Sequence, residues 1–207
     1  MQVFAAGGPT AAPTRRSGTP DRDVVVTTAA RLFHRFGYQN TTMQAIADEL
    51  GISKPTLYVH AKSKSFLLGQ IFQRVLHQAD QLIDGSLSQP DAIEGIVALI
   101  RGQITLSISY RDYYGVIYGD QRELPADLDR AYRAWSRGFV ERVQALIARG
   151  QEQETIRTDC TAIVVAQTIV GITGWSARWL RPRRGITVES VIQETTALIL
   201  GGIRVTR

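Results

Sequence analysis

The chain has 207 residues, 44% of them apolar and 21% charged, which is enough to bury a core and too apolar for disorder over most of its length. Its formal charge of +5 is lopsided: residues 1–67 hold eight Lys/Arg against four Asp/Glu, net +4, whereas residues 68–207 hold sixteen against fifteen, net +1. A lone cysteine, Cys160, excludes a disulfide framework or thiolate metal site within one chain, and His34, His60 and His77 stand at no ligand spacing, so neither metal nor cofactor is expected; a reducing cytoplasm fits this composition.

Residues 1–20, rich in Ala, Gly, Pro and Thr, lack the apolar core and cleavage pattern of a secretory signal and read as a disordered arm. Its Arg15-Arg16 pair either reaches along a DNA groove or belongs to a plain flexible tail. A first helix, about Asp21 to Phe36, is entered through Thr19-Pro20 and carries Val26, Ala29, Ala30 and Phe33 as its apolar stripe.

Residues 40–68 then read as two short helices joined by a glycine turn. Met43 to Leu50 follows Thr41 or Thr42, either of which can accept a hydrogen bond from a free N–H of the first turn. Gly51 can take the positive φ that stops a helix, and Ile52 packs back underneath. Ser53 or Lys54 caps a second helix, with Pro55 in the first turn, where the missing N–H costs nothing. Leu57 points inward, leaving Lys54, Thr56, Tyr58 and His60 to face out, and small Ala47 lets the two helices cross closely. All three lysines, Lys54, Lys62 and Lys64, fall within eleven residues, where phosphates would be neutralised.

The stretch resembles the N-terminal DNA-binding domain of the tetracycline-repressor (TetR) family of bacterial regulators. The resemblance is carried by Thr42, Ile46-Ala47, Gly51-Ile52-Ser53-Lys54, Thr56-Leu57-Tyr58, His60 and Ser63-Lys64, with Ala29, Leu32, Phe33, Phe36 and Gly37-Tyr38 similar to the family's first helix and turn. Two departures stand out: Ala61 replaces the usual aromatic, and Ser65-Phe66 replaces the acidic pair that would complete a capping box with Ser63. The resemblance implies that Lys54, Pro55 and Thr56 meet the floor of the major groove while Thr42, Tyr58, His60 and Lys64 hold phosphates.

Beyond this reader the pattern stays helical. A fourth helix, roughly Lys64 to Leu82, has Leu68, Ile71, Phe72, Val75, Leu76, Ala79 and Leu82 at spacings of three and four and runs directly from the reader into the rest of the chain. Pro90 opens a fifth through Ile104; Tyr110, Tyr113, Tyr114, Ile117 and Tyr118 line a sixth; and a seventh with Leu128, Tyr132, Trp135, Phe139, Val143 and Leu146 lies between Pro125 and Gly150. An eighth, about Asp159 to Leu180, is apolar nearly all round from Ala162 to Trp175 but too short to span a membrane, and a ninth follows from Val188. The predicted fold is therefore all-α: a disordered arm (1–20), a three-helix helix-turn-helix domain (21–67) and a helical ligand-binding and dimerisation domain (68–207). The resemblance implies about nine helices in this arrangement.

The larger domain needs its own purpose. Ala162, Ala166, Gly171, Gly174, Ala197, Gly201 and Gly202 permit close helix approach, either across a four-helix interface between two subunits or within an internal core. A twofold dimer presents two readers to an inverted-repeat operator in double-stranded DNA. Tyr110, Tyr113, Tyr114, Tyr118, Trp135, Phe139, Trp175 and Trp179 are the candidates to line an effector pocket, since aromatics with hydroxyl or indole handles make apolar pockets with a few polar groups; singly, each also reads as core. The segment from Gly174 through Pro182 to Gly185 is similar to a Trp-x-x-x-Trp-x-x-Pro-Gly-Gly stretch of family members that respond to acyl-CoA thioesters or lipid catabolites. Arg-Arg replaces the Gly-Gly, so Arg178, Arg181, Arg183 and Arg184 serve ligand phosphates or form a solvated basic turn. The expected function is a cytoplasmic, homodimeric, ligand-responsive repressor with a small hydrophobic effector. One alternative is a multidrug-type sensor of planar cations that uses Asp112, Asp120 and Glu123. The other is a small all-α enzyme, against which the chain offers no nucleophile elbow, phosphate loop or acid/base pair.

Overall fold

The computed structural model describes residues 20–119, 125–181 and 183–205; Arg15-Arg16, Asp120, Glu123 and Pro182 lie outside them. The described residues form α1 (Arg22–Phe36), α2 (Met43–Leu50), α3 (Lys54–His60), α4 (Lys64–Leu87), α5 (Ala92–Ser109), α6 (Arg111–Ile117), α7 (Ala126–Glu152), α8 (Ala162–Trp179) and α9 (Val188–Ile203). Extended pairing among them is limited to the isolated bridges Ile156↔Arg204 and Arg183↔Ile186, so the fold is all-α as expected.

Packing divides the described residues into two compact units, one comprising those up to Val75 and those between Ser109 and Leu128, the other those of Leu76–Ile108 and those after Leu128. The boundary read from sequence, after residue 67, falls inside the first unit, which also takes in α6 from the middle of the chain. Helix α4 is continuous across the division at Val75.

In the first unit α1 packs against α2, α3 and α6. Its interior holds Val25, Ala29, Ala30 and Phe33 of α1, Ile46 and Ala47 of α2, Leu57 of α3, Leu67, Leu68 and Ile71 of α4, and Tyr113 and Ile117 of α6, all buried. Helix α1 stops at Gly37, whose φ of 84° few other residues adopt and whose N–H returns to the Phe33 carbonyl.

The second unit is built round one apolar cluster. It draws Ala79 and Ile83 from α4, Ile96, Leu99, Ile100 and Ile104 from α5, Phe139, Val143, Leu146 and Ile147 from α7, Val165, Ala166 and Ile169 from α8, and Ile192, Ile199 and Ile203 from α9. Helix α5 is long and apolar enough to cross a membrane, but it is the core helix of this unit, and its buried polar groups have partners. Thr173 donates to Gln103 Oε1 at 2.6 Å, and the Ser107 and Ser176 hydroxyls lie 2.7 Å apart, tying α5 to α8 at little desolvation cost.

Several element ends differ from the sequence reading for local reasons. Helix α4 continues to Leu87, with Ser86 Oγ donating back to the Leu82 carbonyl. Helix α5 is capped by Asp91 rather than opened by Pro90: its carboxylate accepts from the N–H groups of Ile93 and Glu94 at 2.6 and 3.1 Å. Helix α7 passes through Gly150, which serves close packing instead of stopping the helix, since a Cβ there would lie 2.4 Å from Ile156 Cδ1.

Candidate nucleic-acid interface and effector domain

Each end of the helix-turn-helix is closed by its own residues. Of the two threonines, Thr42 is the cap: its Oγ1 accepts from the Ala45 N–H at 3.0 Å, while Thr41, buried, donates to the Gly37 carbonyl at 2.8 Å. Gly51 takes φ 66°, and the N–H groups of Gly51 and Ile52 return to the carbonyls of Asp48 and Ala47 at 3.1 and 3.0 Å, which closes α2 and turns the chain. Ser53 caps α3, its Oγ accepting from the Thr56 N–H at 3.2 Å, and Pro55 sits in the first turn. Beyond α3, Ser63 Oγ accepts from Phe66 N–H at 3.0 Å and meets the Ser65 hydroxyl at 2.9 Å, so Ser63 caps α4 without the acid of a capping box. Ala61, in place of an aromatic, is buried.

With Leu57 fully buried, α3 presents Lys54, Pro55, Tyr58 and Val59 on its open side. At 100° per residue these four span an arc of about 140°, whose centre lies about 130° round the helix from Leu57. Thr56 and His60, read from the sequence as facing out, are instead half-buried. Thr56 is held back because its hydroxyl bonds Ser53 Oγ at 2.7 Å. His60 sits three residues after Leu57 and so shares its side of the helix; its Nε2 is buried without a hydrogen-bond partner. Lys64 is also partly committed: its Nζ donates to the carbonyls of Tyr38 at 2.8 Å and Gln39 at 3.2 Å and lies 4.4 Å from the Tyr38 ring centre. Sequence reasoning passed over Val59, 81% exposed, although a residue two positions from the inward Leu57 lies about 200° round the helix and had to emerge.

The eight aromatic candidates are divided between the units. Tyr110, Tyr113, Tyr114 and Tyr118 belong to the first, where the first three are buried and Tyr113 OH lies 2.9 Å from Thr27 Oγ1 of α1. Burial holds the Tyr113 phenol above its ordinary pKa, against the opposing pull of the Thr27 hydrogen bond and the Arg74 charge. Beside it, Asp112 accepts from or pairs with His34 Nδ1 at 2.9 Å, so this carboxylate of the cation-sensor alternative already has a partner. In the second unit Trp135 stacks on Tyr132 and Phe139, with ring centres 6.0 and 5.2 Å away, and donates its indole N–H to Asp80, which also receives Arg142 at 2.8 Å.

Trp175 and Trp179 stand 56% and 50% exposed on the outer side of α8. The inward side is already filled by Val165, Ala166, Ile169, Thr173, Ser176 and Ala177, which leaves the tryptophans in a stripe with Val164, Gly171 and Ile172. Helix α9 exposes Ala197, Leu198, Gly201 and Gly202. A Cβ built on Gly171, Gly201 or Gly202 would meet nothing within 4 Å, so these glycines are open outward, whereas Ala166 and Gly174 of the same small-residue set are buried inside the unit. Arg178, Arg181, Arg183 and Arg184 are exposed, with the Arg178 guanidinium 4.5 Å from the Trp175 ring centre.

This arrangement has close counterparts. Residues 25–71 match the bacterial regulatory proteins of the tetR family, and residues 89–203 match the tetracyclin repressor-like C-terminal domain. The HTH-type transcriptional repressor KstR2 of Mycolicibacterium smegmatis is 28% identical over 188 residues, covering 88% of this chain and 90% of that protein. Among solved structures, the ketosteroid transcriptional regulator KstR2 of Mycobacterium tuberculosis superposes with a TM-score of 0.82 at 22% identity, covering 93% of this chain and 98% of that one. AibR in complex with isovaleryl coenzyme A and operator DNA superposes with a TM-score of 0.76 at 23% identity, covering 86% and 96%; at such identities the two superpositions establish the fold. With its N-terminal helices matched by one domain and more than half its length by the other, the chain belongs to the TetR family of bacterial regulatory proteins and is a transcriptional regulator, not an enzyme.

Proposed function

We propose that two copies of this chain pair through α8 and α9 into a cytoplasmic homodimer that represses transcription from an inverted-repeat operator and lets go when a small hydrophobic effector binds. The observation that carries the dimer is the outward stripe of α8 and α9. Ile172, Trp175 and Trp179 are large and apolar, Leu198 is 79% exposed, and the open glycines beside them let a partner helix approach closely. Exposed apolar side chains of this size are costly in water and cheap once a second copy covers them.

In the reader, Lys54, Pro55 and Thr56 are proposed to meet the groove floor, with Thr42, Tyr58, His60 and Lys64 at phosphates. Tyr58 is exposed, and Lys64 keeps one ammonium N–H beyond the two spent on carbonyls. His60 has only Nδ1 to offer, because Nε2 is buried. Effector binding in the second unit is proposed to act through α4, which runs on from the reader into that unit, on the separation of the two readers. A differential affinity of about 1–3 kcal/mol between conformations would weaken DNA binding roughly five- to 150-fold.

For the effector we propose an acyl-CoA or lipid catabolite. The Trp135 and Phe139 stack supplies apolar surface, and Arg178, Arg181, Arg183 and Arg184 supply positive charge for phosphates. The AibR complex with isovaleryl coenzyme A supports this class. Light scattering of the purified chain should give twice the monomer mass, and Trp175→Glu should give monomers. Duplexes selected from a random pool should carry inverted repeats and be released by acyl-CoAs of graded chain length. A monomeric wild type refutes the dimer, and release by planar cations alone refutes the effector class.

A further inference from the structure

The open side of α3 carries less polar reading capacity than its sequence suggests. The Thr56 hydroxyl is engaged with Ser53, and His60 turns one ring nitrogen inward, which leaves Lys54 and Tyr58 as the exposed polar side chains of the helix. Between them the surface is apolar. Val59 is the most exposed large hydrophobic among the described residues, and Pro55, also exposed, precedes it by four positions, on the same side of the helix one turn earlier.

An isolated exposed valine is ordinary on a protein surface and by itself decides nothing. Here it shares a seven-residue helix with exposed Lys54, and exposed Lys62 follows two residues after the helix end, which suits a polyanion and not an apolar protein partner. The apolar feature that DNA offers in its major groove is the thymine C5-methyl group.

Resting on the reading of α3 as the element that enters the major groove, we propose that Val59 is a specificity-determining residue: its isopropyl group, with the Pro55 ring one turn before it, recognises thymine methyl groups in each operator half-site. Four residues of helix rise about 6 Å, roughly two base-pair steps, so the two side chains meet bases about that far apart when α3 lies along the groove. Cytosine lacks the methyl and presents an amino donor that a valine cannot satisfy, so the contact discriminates by attraction to one base and by leaving the other's donor unpaired.

The test uses the full chain and duplexes selected from a random pool, with affinity read by fluorescence polarisation. Each thymine of the selected operator is replaced in turn by deoxyuridine, which removes only the methyl group. At one or two positions per half-site the wild type should lose affinity about three- to fivefold, the value of one buried methyl-sized group. In Val59→Ala, whose thermal midpoint should match the wild type because the side chain is exposed, the sensitivity at the position facing Val59 should vanish, any at the position facing Pro55 should remain, and pool selection should lose its thymine preference at the first. Wild-type binding that ignores every deoxyuridine overturns the proposal, as does a sensitivity unchanged in Val59→Ala. A wild type that binds no duplex at all overturns the DNA reading beneath it, which is a distinguishable outcome.

Discussion

Removing the Tyr113 hydroxyl and removing its partner on α1 should have unequal costs, although both break the same 2.9 Å hydrogen bond. Tyr113 is 1% exposed, whereas Thr27 is only half-buried. In Tyr113→Phe the orphaned group is the Thr27 hydroxyl, which can turn to water or to a carbonyl of its own helix, so the loss is that of one neutral hydrogen bond, about 0.5–1.5 kcal/mol. In Thr27→Val the orphan is a phenol with no access to solvent, and the cost rises to about 1–3 kcal/mol. The double variant restores consistency by removing both polar groups and should be less destabilised than the sum of the two. For a chain of this size 1 kcal/mol moves the thermal midpoint by about 2–4 °C, so the single variants should be separable by calorimetry at one fixed protein concentration. Urea midpoints would supply the cycle. Equal losses in the single variants, or strict additivity in the double, would refute the claim that this part-buried bond couples α6 to α1.

The same burial makes a pH prediction. The Tyr113 phenol is raised above its ordinary value near 10 by burial, so the neutral form is favoured on folding; its contribution is complete below pH 10 and is lost as pH climbs through the raised value. Stability of the wild type should therefore fall above pH 10 more steeply than that of Tyr113→Phe, with a residual fall from Tyr38, which burial also raises; parallel curves would contradict it. Gly95→Ala should destabilise the second unit by about 1–3 kcal/mol, because its Cβ would lie 2.6 Å from the Ser86 carbonyl oxygen and 2.9 Å from Leu146 Cδ1, and backbone cannot step aside as a side chain can. Gly69→Ala, where nothing lies within 4 Å, is the control and should be neutral or slightly stabilising by denaturant midpoint. Ser53→Ala should cost about 0.5–2 kcal/mol by removing the acceptor for the Thr56 N–H; it should also free the Thr56 hydroxyl, detectable as altered base preference in pool selection.

What the amino-acid order determined by itself was enforced within a few residues, though not every local bond, such as that of Thr56 to Ser53, was legible. Thr42, Gly51 and Ser53 set the ends of α2 and α3 through bonds to N–H and carbonyl groups at most five positions away, and the three-and-four spacing along α4 and α9 marked helices before any partner was known. The motif around Lys54 named the reader for the same reason, because a helix-turn-helix is a local object. Tertiary structure alone decided which side of a nearly all-apolar helix is covered. Periodicity could not tell that Ala166 and Gly174 face inward on α8 while Gly171 and both tryptophans face out, since every side of that helix is apolar and only neighbours from α5 and α9 distinguish them. Nor could it show that Gly150 accommodates Ile156, that Tyr113 hydrogen-bonds to a threonine eighty-six positions earlier, or that His60 turns a ring nitrogen into the interior. Those outcomes depend on contacts between segments distant in the chain, and the free energy that selects them is the burial of one surface by another.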